Sequence, residues 1–240
     1  KEIINDIINF IPQYKLLGGE TMGKERTKVS MAVIRRLPRY QRYLDELFKN
    51  DVKRISSREL SERMGVTASQ IRQDLNCFGG FGQQGYGYNV EDLYNTITDI
   101  LGLNRSYNTI IVGAGNLGQA IAGYTNFEKS GFTLKALFDV NPKLIGLRLR
   151  DIEILDVDTL PDFLHQHKVD IGIMCIPRKA AQQTADILTS NGVRAIWNFS
   201  MTDLDVPADI IVENVHLSDS LYTISYRLNE EELFNKIDKN

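Results

Sequence analysis

The run "TIIVGAGNLGQAIAGY", Thr109 to Tyr124, constrains the fold of this chain more than any other stretch. A short β-favouring segment, Thr109 to Val112, leads straight into Gly113, Gly115 and Gly118, spaced Gly-x-Gly-x-x-Gly, and a helical pattern follows. A second apolar run, Leu134 to Phe138, ends at Asp139, 21 residues after Gly118. Strand, glycine turn, helix, strand and terminal acid in that order are the fingerprint of a βαβ unit that binds a dinucleotide. Gly113 allows the tight turn, Gly115 lets the backbone approach a pyrophosphate, and Gly118 lets helix and strand pack closely. Ala114, Asn116 and Leu117 complete a loop whose helix N-terminus offers N–H groups to phosphates. Asp139 would accept hydrogen bonds from the ribose hydroxyls and repel a 2′-phosphate, which favours NADH and NAD+ over their phosphorylated forms. A related fold binding coenzyme A through the same turn is the alternative.

The alternation continues. Val169 to Ile176 reads as a buried strand and Arg178 to Asn191 as a helix. Arg194 to Phe199 and Asp209 to Val215 read as strands, and His216 to Lys236 as an amphipathic helix with Leu217, Leu221, Ile224, Leu228 and Leu233 on one face. Strands alternating with helices imply a mostly parallel sheet. Pro177 and Arg178 then fall at the C-terminal end of a strand, where such sheets bind ligands.

The chain before this unit is purely helical in pattern until its own glycines begin. Tyr40, Tyr43, Leu44, Leu47 and Phe48 recur at helical spacing behind Pro38, which suits a first turn. Ser56 with Glu59 forms a capping box, and Gly65 is placed to stop that helix. Thr67 with Gln70 reads as a second capping box, with Ile71, Leu75 and Phe78 on the buried face. Two short helices meeting at a glycine-containing turn make a helix-turn-helix, spanning roughly Pro38 to Cys77, whose second helix can enter a major groove. Ser69, Gln70, Arg72 and Gln73 would face the base edges, and Arg58 and Arg63 the phosphates.

The stretch "CFGGFGQQGYGY", Cys77 to Tyr88, holds five glycines and four aromatics in twelve residues. A phosphate cradle needs a preceding strand, and here a helix precedes. A flexible linker would lack these aromatic anchors. What remains is a hairpin whose glycines supply positive φ and whose aromatics pack on the helices. Behind a helix-turn-helix such a hairpin is a wing, with Gln83 and Gln84 at its tip.

Charge separates the two parts. Met22 to Tyr88 carries 13 Lys/Arg against 7 Asp/Glu, whereas Asn89 to Asn240 carries 13 against 21. A basic first part suits a polyanion such as double-stranded DNA. The two cysteines, Cys77 and Cys175, show no paired spacing, so neither disulfides nor a metal are expected; both read as small buried hydrophobes in a reducing cytoplasm. No apolar run approaches the ~18 residues of a membrane span. Residues 1–21 read as a leader or a misassigned start, with translation expected to begin at Met22. His165 and His167 fall on a polar helix face, and no nucleophile or paired-acid arrangement stands out. A redox-cofactor site without machinery to use it points to a regulator rather than an enzyme; a small NAD-dependent oxidoreductase and a coenzyme A-binding module are the rivals.

Taken together, "KVSMAVIRRLPRYQRYLDEL", "RISSRELSERMGVTASQIRQDLNCFG", "GYGYNV", "GAGNLGQAI", "NFS" and "VPADIIVENV" resemble Rex, the redox-sensing transcriptional repressors, over Lys28 to Leu228. The resemblance implies an α/β chain: an N-terminal winged helix-turn-helix domain (22–88), a Rossmann-fold dinucleotide-binding domain (89–215) and a C-terminal domain-swapped helix (216–240). It implies a homodimer that reads an inverted-repeat operator and is released by NADH. It also implies a switch in which Arg42 and Tyr124 work with an acid at the position held here by His216. Two departures follow: Gln83-Gln84 replaces a basic pair at the wing tip, and His216 cannot pair with Arg42 as an acid would.

Overall fold

The computed structural model describes residues 29–79, 82–83 and 86–237, without the side chains of 82–83 and 232–237. The expectations for residues 1–21, Phe81, Gln84 and Leu233 therefore lie outside what is described. The chain forms two compact units, one running to Tyr94 and one from Asn95.

The first unit begins with α1 (Met31–Ile34), capped by Ser30, and α2 (Leu37–Lys49), which carries its proline in the first turn. Leu37, Tyr40, Leu44 and Leu47 face the core of α2. Phe48 does not; it is 42% exposed and stacks on Tyr94, ring centroids 5.4 Å apart. After β1 (Arg54–Ile55) comes α3 (Ser57–Met64). Its expected capping box is complete: Ser56 Oγ accepts from the Glu59 N–H while Glu59 accepts from the Ser56 N–H, and Gly65 ends it at φ 63°. The backbone and hydroxyl bonds from Ser56 hold the Glu59 carboxyl below the ordinary carboxylate range.

Helix α4 (Ala68–Asn76) follows a three-residue turn. Its box is only half formed. Thr67 Oγ1 accepts from the Gln70 N–H at 3.1 Å, but the Gln70 side chain donates to Asp74 instead of closing back on Thr67. A charge-assisted bond to an ionised carboxylate within one turn outweighs a neutral bond accepted from the Thr67 N–H. Ile71 and Leu75 are buried as expected, Phe78 is half-buried, and Cys77 is exposed at the helix end rather than buried.

The glycine-rich stretch is a hairpin. Strands β2 (Gly82–Gln83) and β3 (Gly87–Asn89) pair antiparallel, and β3 pairs with β1. Gly87 sits at φ 71°, and a Cβ there would lie 2.6 Å from the Ile55 carbonyl oxygen, so the approach of β3 to β1 requires glycine. Tyr88 anchors the hairpin in the core, whereas Tyr86 is 69% exposed and does not pack on the helices. Helix α5 (Val90–Ile100), which the sequence patterns above did not single out, comes next.

The second unit contains β4 (Tyr107–Val112), α6 (Asn116–Ala122), α7 (Asn126–Lys129), β5 (Phe132–Asp139), β6 (Arg148–Leu149), β7 (Ile152–Asp156), α8 (Leu160–Gln166), β8 (Ile171–Met174), α9 (Arg178–Ser190), β9 (Ala195–Asn198), β10 (Ile211–Asn214) and α10 (Leu217–Ile237). Among the described residues its strands form one sheet in the order β10-β9-β8-β4-β5-β7-β6. All pairs are parallel except β6 with β7. Successive residues of β4 and β5 feed opposite faces: Ile110, Val112, Ala136 and Phe138 pack in one cluster with residues of α8 and α9, Ile111 and Leu137 in the other with Ala122 of α6. The sheet is therefore covered on both faces, the doubly wound arrangement expected. Each fully buried Ile, Leu or Phe contributes about 1.5–3 kcal/mol. Helix α10 differs: Leu217, Leu221, Tyr222, Ile224, Tyr226 and Leu228 are all more than half exposed.

Candidate cofactor and nucleic-acid sites

Strand β4 lies between β5 and β8, so the chain direction across the sheet reverses at β4 and β8. A crevice opens at the carboxyl ends of such a strand pair. Gly113 to Gly118 lie at the end of β4, Asp139 at the end of β5, and Pro177 and Arg178, both exposed, where β8 gives way to α9. The structure thus brings the expected cofactor residues to one edge of the sheet.

The three glycines do different things. Gly113 has φ 98°, and a Cβ there would collide with the Cys175 carbonyl oxygen. A Cβ on Gly118 would strike the Gly113 carbonyl oxygen. Around a Cβ on Gly115 there is nothing within 4 Å. Two glycines are therefore demanded by the protein's own packing, and the third faces open space. Gly115 also caps α6 without a side chain, so no side chain covers the helix's first N–H groups. The loop is braced from inside, since Gln119 Nε2 donates to the Ala114 carbonyl at 2.7 Å. Nearby Cys175 has its thiol pushed up to about 12 by burial, which makes it an inert packing group.

Asp139 Oδ2 accepts from the Ala114 N–H at 2.7 Å, and Oδ1 accepts from the Asn141 N–H at 2.8 Å. A carboxylate offers about four lone-pair sites, so two bonds orient it and leave acceptors for a diol. Open space at Gly115, uncapped N–H groups and an oriented acceptor together fit a dinucleotide.

Tyr124 follows α6 and is exposed; its ring meets Phe127 at 4.8 Å, Phe127 meets Trp197 at 5.8 Å, and Trp197 meets Phe199 at 4.8 Å. The sequence resemblance pointed to Tyr124 but not to this aromatic chain, because its members come from two stretches far apart in sequence. His216 is half-exposed just before α10, in the same unit as Tyr124; Arg42 is exposed on α2 in the first unit. His165 is exposed on α8, and His167 lies past the helix end, stacked on Phe163 at 4.2 Å. Both precede β8, at the edge of the sheet opposite the glycine turn.

In the first unit, Ser69 and Gln73 of α4 are exposed. Arg72 is exposed and donates to Ser57 Oγ at 2.9 Å, tying α4 to α3. Arg58 pairs with Glu62 at 3.2 Å, and Arg63 is exposed on the same helix. Gln70 is half-buried and spends one amide N–H on Asp74. Gln83 lies in β2. Sequence reasoning missed one wing-side residue, Arg54, whose guanidinium sits 5.9 Å from the Tyr86 ring centroid and donates to the Tyr86 carbonyl at 3.3 Å. It also missed Asp74, which is 1% exposed. The available signal was its place between Ile71 and Leu75, on the stripe that faces inward. Among the described residues, no group of three His, Cys, Asp or Glu side chains is arranged to hold a metal, and no helix is long and apolar enough to cross a membrane.

Comparison with known proteins matches both units. The family described as "Putative DNA-binding protein N-terminus" matches residues 28–76, and the one described as "CoA binding domain" matches residues 104–202. A redox-sensing transcriptional repressor Rex of Thermoanaerobacter pseudethanolicus is 73% identical over 213 residues, 89% of this chain and 95% of that protein. The Rex of Clostridium botulinum is 62% identical over 208 residues, 87% of this chain and 99% of that protein. A crystal structure of RSP in complex with beta-NAD+ and operator DNA is 72% identical, with a TM-score of 0.82 over 89% of this chain and 99% of that one. RSP in complex with beta-NADH is 70% identical, with a TM-score of 0.81 over 88% of this chain and 99% of that one.

Proposed function

The chain belongs to the Rex family of redox-sensing transcriptional repressors, and from that premise we propose how its own residues divide the work. The second unit binds NADH and NAD+ across the crevice at β4 and β8. Gly113 to Gly118 receive the pyrophosphate, Asp139 holds the adenosine ribose, and Pro177 and Arg178 border the nicotinamide side. The observation that carries this is the empty space around Gly115 beside the oriented Asp139 carboxylate. Coenzyme A fits less well, because its ribose 3′-phosphate would meet the negative charge of Asp139.

The first unit reads DNA. Helix α4 enters the major groove with Ser69, Gln70, Arg72 and Gln73 toward base edges, Arg58 and Arg63 contact phosphates, and the wing carries Gln83 and Gln84 alongside. Two copies joined through the apolar face of α10 present two such helices to an inverted repeat. The protein is a regulator rather than an enzyme, and it acts in the cytoplasm, where its unpaired cysteines stay reduced.

NADH and NAD+ differ only at the nicotinamide ring, and a ligand shifts only those equilibria in which its affinity for the two states differs. The ring must therefore report to a movable contact, and the aromatic chain from Tyr124 to Phe199 together with His216 supplies one. Arg42, exposed on α2, is the further switch residue that the family resemblance adds. The test is a gel-shift titration of an inverted-repeat operator in fixed NAD+ against rising NADH. Release by NADH at concentrations where NAD+ leaves the complex intact is expected. Binding indifferent to NADH refutes the sensor reading.

A further inference from the structure

Asp74 is a buried acid that makes no contact expected of a DNA-binding side chain, yet it is the most heavily bonded carboxylate described in the first unit. Arg36, in the turn before α2, donates Nε to Oδ2 at 2.6 Å and Nη2 to Oδ1 at 2.7 Å. Tyr40 Oη donates to Oδ2 at 2.8 Å, and Gln70 Nε2 donates to Oδ1 at 2.8 Å. Each oxygen thus accepts twice, which uses all of the carboxylate's roughly four lone-pair sites. Burial pushes the carboxyl up, but the bonds from Arg36, Tyr40 and Gln70 outweigh it and hold Asp74 below its ordinary range. Arg36 is raised by the same partner, and Tyr40 is raised by burial and then by its bond to Asp74. The group stays ionised and saturated, with nothing left for a base or a phosphate.

A buried ion pair of this kind is weak evidence for stability and better evidence for a fixed geometry. Three consequences follow from the bonds. Helix α4 is locked to α2 through Tyr40, 34 residues away in sequence, and to the turn before α2 through Arg36, 38 residues away. The Arg36 charge is balanced by Asp74, and two of its five N–H groups are committed there. And the Gln70 amide has its orientation decided: an ionised carboxylate only accepts, so the NH2 must face Asp74, and Oε1 with the second N–H is left for the outside. That remaining acceptor–donor pair suits adenine N6 and N7.

We infer that Asp74 is a positioning residue for base readout, which sets both the seating of the recognition helix and the face that the Gln70 amide shows to DNA. This rests on the reading of α4 as the recognition helix. The experiment measures anisotropy binding of the full chain to operator, to operators with single base-pair changes, and to random DNA, at fixed salt and NAD+. Asp74→Asn, Gln70→Ala and the double variant are compared. In Asp74→Asn the operator-to-random ratio should fall about tenfold, the scale of one base discrimination, while binding to random DNA holds or rises as Arg36 is freed. At the base pair where Gln70→Ala loses preference, Asp74→Asn should lose it too, and the double variant should lose no more. If Asp74→Asn does not fold, Arg36→Lys keeps the charge, loses the two-pronged grip, and should lower the same ratio. A purely structural role would lower the melting midpoint and leave the ratio of the folded protein alone. Operator preference intact in folded Asp74→Asn, or losses that multiply in the double variant, overturn the inference alone. No operator preference in the unmodified protein overturns the recognition-helix reading and the inference with it.

Discussion

Replacing Gly115 and Gly118 by alanine, one at a time, separates two demands that one glycine motif makes. At Gly118 the new methyl would overlap the Gly113 carbonyl oxygen and stand 3.3 Å from Ile111 Cγ2. Neither neighbour is the far end of a flexible side chain, so α6 must move off β4. Overpacking of this kind costs about 1–3 kcal/mol. Alanine returns up to about 1 kcal/mol as a better helix former than glycine. The net is a loss of roughly 1–2 kcal/mol, a fall in midpoint of about 3–8 °C for a unit of this size. At Gly115 the backbone lies at φ −70° and ψ −169°, open to any residue, and the methyl meets nothing within 4 Å. Its midpoint should stay within about two degrees of the parent, because alanine lowers the entropy of the unfolded chain but is a poorer N-cap than glycine, and the two effects oppose. Its methyl would, however, stand where the pyrophosphate approaches, and NADH affinity should fall at least tenfold, about 1.4 kcal/mol. Calorimetry and a fluorescence titration with NADH read the two effects separately. A Gly115→Ala protein that binds NADH like the parent would remove the pyrophosphate from this loop. A Gly118→Ala protein that melts like the parent would show that helix and strand are not pressed together.

Other tests bear on single residues. Asp139→Ala should weaken NADH binding about tenfold or more and leave operator binding in NAD+ intact; loss of both activities together would point to misfolding, since Asp139 also braces Ala114 and Asn141. Replacing Gln83 and Gln84 with Lys and Arg should tighten binding to all DNA sequences and steepen the salt slope by about two units, and an unchanged slope would mean that the tip does not touch phosphate. Asp74 titrates lower folded than unfolded, so its stabilising contribution is full above the unfolded carboxylate value of ~3.9 and drains away as pH falls through the folded value. Acid titration by circular dichroism should therefore show Asp74→Asn losing less structure below pH ~4 than the parent; equal losses would contradict the assignment.

What the sequence revealed and what it concealed divide by range. The βαβ fingerprint was legible because every part of it is local: the turn, the helix start and the acid at a strand end follow one another within 31 residues, Thr109 to Asp139. The Ser56 box and the Gly65 stop were legible for the same reason. Thr67 and Gln70 matched the same pattern, but a partner outside it took the glutamine. That partner, Asp74, owes its role to Arg36 and Tyr40, which only the packed helices bring near. Cys77 looked like a core residue by type, and the helix happens to end there. Tyr86 looked like an anchor, but it lies in the turn before β3, while Tyr88, within the strand, took the core position. The link from Tyr124 through Phe127 and Trp197 to Phe199 joins parts of the sheet edge that are distant in sequence, so no spacing rule points to it.

Helix α10 displays leucine, isoleucine and tyrosine side chains to water along most of its described length. If two chains shield these residues together, folding and pairing share one free energy, and mass action enters. The unfolding midpoint then rises with the amount of protein in the tube. Dilution would loosen the repressor even at constant NADH, so the quantity of repressor in the cell would tune its response as well as its occupancy.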